Sequence, residues 1–241
     1  MKKLSILLLL TLPFIASAQY DKTTTTGDLG LSAGTGFSSA FSYNKLWGVG
    51  KSNRFKVGLG IRLTNFFAGQ TDFRTAPASL TSGKSSIAAL FADDIVSQID
   101  TITIKNVQTN ALNLSIHLQY SLSKKIDVGF NIDAIGFTFG GSQAGVGFKA
   151  KQSDATGKGN NGKSDFTATP TSFNALLVSD SDLGTLNSEI YGRYWLNDKW
   201  GIRAGLSFQF NEYTTSRKLA FDNDRFRSKT LQPLIAISYK F

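Results

Sequence analysis

The one histidine of the chain, His117, lies two residues after Ser115 in NALNLSIHLQYSL, residues 110–122. At that spacing on an extended chain both side chains leave the same face. Ser123-Lys124-Lys125 and then IDVGFNIDA follow. If these stretches form a hairpin pairing 122 with 126, Ser115 stands opposite Asp133 and His117 opposite Asn131. A hydroxyl, an imidazole and a carboxylate on one patch are the parts of a surface hydrolase, in which the acid orients the ring and the ring takes the hydroxyl proton. That chemistry also needs donors for an oxyanion and an opening for substrate, and no stretch of the sequence can be matched to either. The residues favour a hydrogen-bonded interior network instead. The chain is read as a non-enzyme, and no catalytic residue, cofactor or metal site is assigned.

A second string of chemical interest is GKGNNGKS, residues 157–164, which satisfies the phosphate-loop pattern G-x-x-x-x-G-K-[ST]. Such a loop wraps phosphate only where it joins a buried strand to a helix. Here GFKAKQSDAT precedes it, and Pro170 in DFTATP falls where the helix would run. The string reads as a surface loop. Asp180-Ser-Asp182 and Asp222-Asn-Asp224 offer oxygens of the kind calcium takes, but neither completes a binding loop, and both read as solvated carboxylates.

Charges elsewhere sit on alternate positions of long half-apolar stretches. In NRFKVGLGIRLTNFF, residues 53–67, Phe55, Val57, Leu59, Ile61, Leu63 and Phe67 take one face. Lys56, Gly58, Gly60, Arg62 and Thr64 take the other. Residues 126–132 set Ile126, Val128, Phe130 and Ile132 against Asp127, Gly129 and Asn131, with Asp133 next on that second face. In TLNSEIYGRYWL and WGIRAGLSFQF, residues 185–196 and 200–210, Ile190, Tyr194, Ile202 and Leu206 oppose Glu189, Tyr191, Arg193 and Arg203. The polar faces are expected to line a barrel lumen, where Lys56, Arg62, His117, Asp127, Asp133, Glu189, Arg193 and Arg203 form a network of opposed charges. Arg193 and Arg203 would face one another across their hairpin, which calls for an acid close by. Gly58, Gly60, Gly129, Gly201 and Gly205 suggest space vacated for bulky neighbours. The alternative is a charged constriction that selects ions.

Alternating runs of ten or more residues fit a membrane barrel better than a sandwich, whose strands are commonly about five or six residues. Tight turns near 124 and 198 alternate with long segments, about 68–106, 140–184 and 213–227. That asymmetry is how outer-membrane barrels are arranged, with the short turns periplasmic and the long loops extracellular. Tyr120, Tyr194, Trp195, Trp200, Tyr239 and Phe241 gather near the short side, as an aromatic girdle would. The fold class is therefore all-β: an antiparallel up-and-down transmembrane barrel, eight strands by preference and ten as the alternative. Seven strands can be read directly, the first of them within residues 28–43. The missing one is placed within 68–106, or else in the stretch after Tyr20 as two short strands. In the first long loop, SSIAALFADDIVSQ sets Ile87, Leu90, Phe91 and Ile95 on one side of a short helix, read as packing over the barrel mouth.

The opening MKKLSILLLLTLPFIASAQ has two lysines, a short apolar run and Ala16-Ser17-Ala18, the pattern of a cleaved signal peptide over 1–18. Residues 19–241 then form a single barrel domain. No later run of about 20 apolar residues is available for a transmembrane helix. With no cysteine there is neither a disulfide nor a lipid-acceptor residue. The formal charge of +9 falls to about +7 without Lys2 and Lys3, and in an exported chain it points to anionic headgroups, not to nucleic acid.

The signal peptide, the alternating strands and the terminal Ile237-x-Tyr239-x-Phe241 together resemble the outer-membrane β-barrel superfamily, in particular small OmpA-transmembrane-like and OmpX-like barrels. NALNLSIHLQY, NIDAIGF and YGRYWLNDKWGI look like barrels of Bacteroidetes-type Gram-negative bacteria. The resemblance implies insertion in the bacterial outer membrane among its lipids and lipopolysaccharide. It also implies that Ile237, Tyr239 and Phe241 are the signal read by the barrel-assembly machinery. The functional expectation is a non-enzymatic barrel acting through its long loops, by structural support or by contact with an unnamed surface ligand. A narrow porin-like pore or carrier is the alternative, and a hydrolase built on Ser115, His117 and Asp133 comes third.

Overall fold

A computed structural model describes residues 20–81, 95–144, 146–149, 166–177 and 181–241. The signal segment 1–18, GKGNNGKS, Asp180, and Ile87, Leu90 and Phe91 lie outside the described residues. In chain order the strands are β1 (Thr23–Ala33), β2 (Phe37–Val49), β3 (Phe55–Ala68), β4 (Thr71–Thr75), β5 (Thr101–Ile104), β6 (Val107–Ser121), β7 (Ile126–Phe139), β8 (Gly147–Lys149), β9 (Ala168–Pro170), β10 (Phe173–Ala175), β11 (Leu186–Trp195), β12 (Trp200–Thr215) and β13 (Arg225–Lys240).

The eight strands β1, β2, β3, β6, β7, β11, β12 and β13 pair antiparallel in that order, and β13 returns to β1 through Thr26↔Lys240 to Ser32↔Leu234. This is a closed up-and-down barrel. Closure removes the open edge that would leave backbone N–H and C=O groups unpaired in hydrocarbon. Tight turns at 50–54, 122–125 and 196–199 lie at one end, and the segments 69–106, 140–185 and 216–224 join strands at the other.

The eighth strand is not in 68–106, and residues 28–43 are not one strand. They hold the end of β1, a three-residue turn at 34–36 and the start of β2. Ala33 pairs with Phe37 across that turn, so odd-numbered residues stay outside on both strands and the alternation runs through it without a phase slip. The stretch after Tyr20 does hide two strands, as the alternative had it, though both are long.

The outer wall is apolar: Phe41, Ile61, Phe137, Ile190 and Leu231 are each more than half exposed. The inner wall is polar and buried. Two details depart from the sequence reading. A bulge at Ala134, where Ser115 pairs with Asp133 but Leu114 with Ile135, resets the phase of β7. Trp195 is not in the girdle but faces the lumen, as its spacing from Arg193 requires, and its Nε1 donates to Asp127 at 2.7 Å. Its place on the outer wall is taken by Tyr43, Trp47 and Phe55, all exposed.

At the long-loop end the barrel continues into a cap. There β4 pairs with β13, β5 with β4 and β8 with β5, while β9 pairs with β12. The inward positions of β3, β6, β12 and β13 change here from polar to apolar: Phe66, Val107, Tyr213 and Phe226 bury against Phe73, Ile102, Ile104 and Phe166. Tyr213 stacks edge-on to Phe73 at 5.1 Å, and its hydroxyl both accepts from the Gln108 N–H (3.2 Å) and donates to its carbonyl (3.0 Å). Each large side chain so buried contributes about 1.5–3 kcal/mol.

Several inward glycines are required by close approach. A Cβ on Gly60 would lie 2.3 Å from Asn44 Oδ1 and 2.8 Å from both Ser115 Oγ and His117 Nε2. One on Gly205 would lie 2.1 Å from the Ile190 carbonyl oxygen, an atom of the paired strand that cannot step aside. The outward Gly192 has nothing within 4 Å of that position. Gly205→Ala is expected to destabilise the barrel by about 1–3 kcal/mol, and Gly192→Ala to leave it unchanged, as read from urea unfolding of the refolded protein in lipid vesicles.

Candidate functional site

The polar residues of the lumen meet in one chain of charges. Arg62 on β3 is bound to Asp133 on β7 through Nε at 2.9 Å and Nη2 at 2.5 Å, and its Nη1 lies 3.3 Å from Glu189 on β11. Glu189 in turn accepts from Arg203 on β12 at 2.6 Å. Arg203 reaches Asp28 on β1 at 3.2 Å, and Asp28 also holds Arg193 on β11 at 3.2 Å. Asp133, Arg62, Glu189, Arg203, Asp28 and Arg193 thus alternate in sign from one side of the barrel to the other, and their side chains are at most 3% exposed.

Neutral groups complete the set. Asn131 donates to Glu189 at 2.8 Å and accepts from Arg62 at 2.7 Å. Asn113 and the Asn187 backbone N–H donate to Asp133 at 2.8 and 2.9 Å, and Asn44 donates to Asp28 at 2.7 Å. Tyr191 lies under the Arg203 guanidinium at 4.3 Å, a cation–π contact away from water. In a low-dielectric lumen such charges are tolerable only when paired and hydrogen-bonded on their remaining sides.

Of the residues expected in this network, Arg62, Asp133, Glu189, Arg193 and Arg203 come together as ion pairs. His117 is inside, hydrogen-bonded to Ser115 at 2.8 Å. The register places Ser115 opposite Asp133 and His117 opposite Asn131, but the Asp133 carboxylate is occupied by Arg62, Asn113 and Asn187. Among the described residues no acid therefore orients the imidazole, and both Ser115 and His117 are buried. Lys56 and Asp127 are inside as well, but they do not pair with one another. Lys56 donates to Thr24 at 2.5 Å, and Asp127 accepts from Ser121 at 2.6 Å and from Trp195.

The acid that the facing Arg193 and Arg203 call for is Asp28. Its signal was present, because it is the one carboxylate on the even-numbered face of TTTTGDLGLSA. A second buried cluster lies higher up: Glu212 binds Arg225 and Arg227, each at 2.8 Å, and both arginines donate to the Asp182 carbonyl. Two of the carboxylates weighed as calcium ligands, Asp222 and Asp182, are engaged with the protein. Asp222 is paired with Lys218 at 2.6 Å, and Asp182 accepts from the Leu177 N–H at 2.6 Å.

Ile237 and Phe241 are on the outer wall, with Tyr239 half-buried beside them. The rings of Trp200, Tyr239, Phe241 and Tyr43 follow one another at 4.8, 5.2 and 5.8 Å across the β12–β13–β1–β2 seam. The Phe241 N–H donates to the Thr25 carbonyl at 3.1 Å.

A closed eight-stranded ladder, an apolar outer wall and a polar interior define an antiparallel up-and-down β-barrel of the kind built to span a membrane. No protein-family model and no curated protein matches the chain. Among solved structures it is similar to Neisserial surface protein A (7% identity, 91% of this chain and 96% of that one, TM-score 0.36). It is also similar to a major outer membrane protein from Thermus thermophilus (12%, 92% and 100%, TM-score 0.39). A Pseudomonas aeruginosa FadL homologue follows (10%, 85% and 68%, TM-score 0.24). At these scores the likenesses add nothing to the class, which rests on the ladder and the two walls.

Replacing Asp28 with Asn leaves two guanidinium groups facing one another with no carboxylate between them. Breaking a buried pair on one side costs about 3–5 kcal/mol. The urea midpoint of the Asp28→Asn barrel should fall accordingly, while Asp222→Asn, at an exposed pair, should leave it in place.

Proposed function

We propose that this protein is an integral outer-membrane barrel, closed to solutes, that holds a folded cap on the cell surface and acts by structural support or by contacts made there. The carrying observation is the alternating chain Asp133–Arg62–Glu189–Arg203–Asp28–Arg193, which spans the lumen with its charges already matched. An eight-stranded barrel is just wide enough for side chains to fill it. Ions passing through would have to break these buried pairs, each at most 3% exposed, at a cost of several kcal/mol. The apolar cluster above, from Phe66 to Phe226, is a second obstruction of opposite character. A selective pore would need unpaired charges of one sign at a constriction, and the six here neutralise one another. Export by the segment 1–18, assembly through Ile237, Tyr239 and Phe241, and contact with lipopolysaccharide belong to the same reading.

Planar-bilayer recording of the refolded protein tests closure: no conductance steps above leak are expected, and reproducible steps would favour the pore. Orientation is tested separately. The chain contains no cysteine, so single cysteines are unambiguous reporters. A cysteine replacing the exposed Asn106 should react with an impermeant maleimide on intact cells, and one replacing Lys124 only after lysis.

A further inference from the structure

Below the charge chain, at the short-turn end, the lumen opens into a cavity of about 280 Å³ bordered by Thr24, Lys56, Gln119, Asp127 and Trp195. That is close to the lower end of small-ligand pockets, roughly 300–1,000 Å³. Lys56 is only 4% exposed. Among the described residues its ammonium has one hydrogen bond, to Thr24, and no ion pair. A buried cation is normally paired, so the acids nearby matter. Asp127 is held by Ser121 and Trp195, one donor on each oxygen, and Asp21 at the rim is bound to Lys240 at 3.0 Å. Asp198 sits on the exposed 196–199 turn.

Gln119 is the direct cross-strand partner of Lys56, which puts the two side chains next to one another on the inner wall. Its Oε1 accepts from Arg193 Nη1 at 3.1 Å. Since a guanidinium can only donate, that bond fixes the amide so that Nε2 is the atom left over. Nε2 has no protein acceptor among the described residues. Two neighbouring donor groups, the Gln119 Nε2 and an ammonium that spends only one of its three protons on Thr24, therefore have donor capacity left over within a cavity that can hold several heavy atoms. Trp195 closes one side, with the Arg193 guanidinium over its ring at 5.1 Å.

The geometry points to a binding site for a compact oxyanion, a carboxylate or phosphate, held between Lys56 Nζ and Gln119 Nε2 and entering from the aqueous side of the short turns. Arg193 is a positioning residue for it, because it sets which end of the Gln119 amide faces the cavity.

The test uses the full barrel refolded in non-ionic detergent with Trp47 and Trp200, both on the outer wall, replaced by Phe, so that Trp195 alone reports. Sodium acetate and sodium phosphate are titrated separately against sodium chloride at constant ionic strength. A saturable change in Trp195 emission is expected with at least one of the two and not with chloride, and the tighter probe identifies the anion as carboxylate or phosphate. Lys56→Gln should weaken binding at least about tenfold, the loss of a charge-assisted hydrogen bond, and Lys51→Gln, on an exposed turn outside the cavity, by less than about twofold. Should Lys56→Gln fail to fold, the wild-type Gln119 side-chain amide resonance supplies the same test and must shift with the titrant. No saturable response to either probe, or equal binding by folded Lys56→Gln, would overturn the assignment.

Discussion

A guanidinium group taken out of water needs a carboxylate, and much of this barrel is organised around that requirement. Arg193 and Arg203 are fixed opposite one another by the register of their hairpin, so neither β11 nor β12 can neutralise both. The carboxylate comes from Asp28, 165 and 175 residues away in sequence. It can arrive only when β1 closes against β13. Closing the ladder and neutralising the lumen are thus one event, and a barrel left open between β1 and β13 would carry unpaired charge as well as unpaired backbone.

The glycines are the steric counterpart of those charges. Eight strands leave a narrow interior, and arginine, tyrosine and asparagine side chains all enter it. Gly60 leaves space for the Ser115–His117 pair and Asn44, and Gly129 for the Tyr191 ring that lies against two arginines. Many of the outward positions carry large apolar groups, among them Phe41, Ile61, Phe137, Ile190 and Leu231, because the outer face imposes no such crowding.

Much of this was legible in the sequence because alternation with a period of two reports directly on two different solvents. It placed Arg62, Asp133, Glu189, Arg193 and Arg203 inside, and even the Ser115–Asp133 register follows from one tight turn. What failed did so for local reasons. The turn at 34–36 has an odd number of residues, so β1 and β2 share one parity and read as a single strand. Trp195 belongs to the girdle by residue type, but it shares its parity with Arg193 and so faces the lumen. Lys56 and Asp127 belong to the expected network of opposed charges, but facing the lumen does not fix a partner: Thr24, Ser121 and Trp195 reach them instead. The cap was illegible because its strands are three to five residues long, too short for alternation to register.

The cap and the barrel share β12 and β13 but have opposite cores. The barrel turns its apolar side chains outward and keeps a polar interior, whereas in the cap Phe73, Ile102 and Phe226 turn inward onto one another. The two ends of the same strands are therefore held by different forces: hydrophobic burial, which weakens on cooling, holds the cap together, and paired charges hold the lumen beneath it.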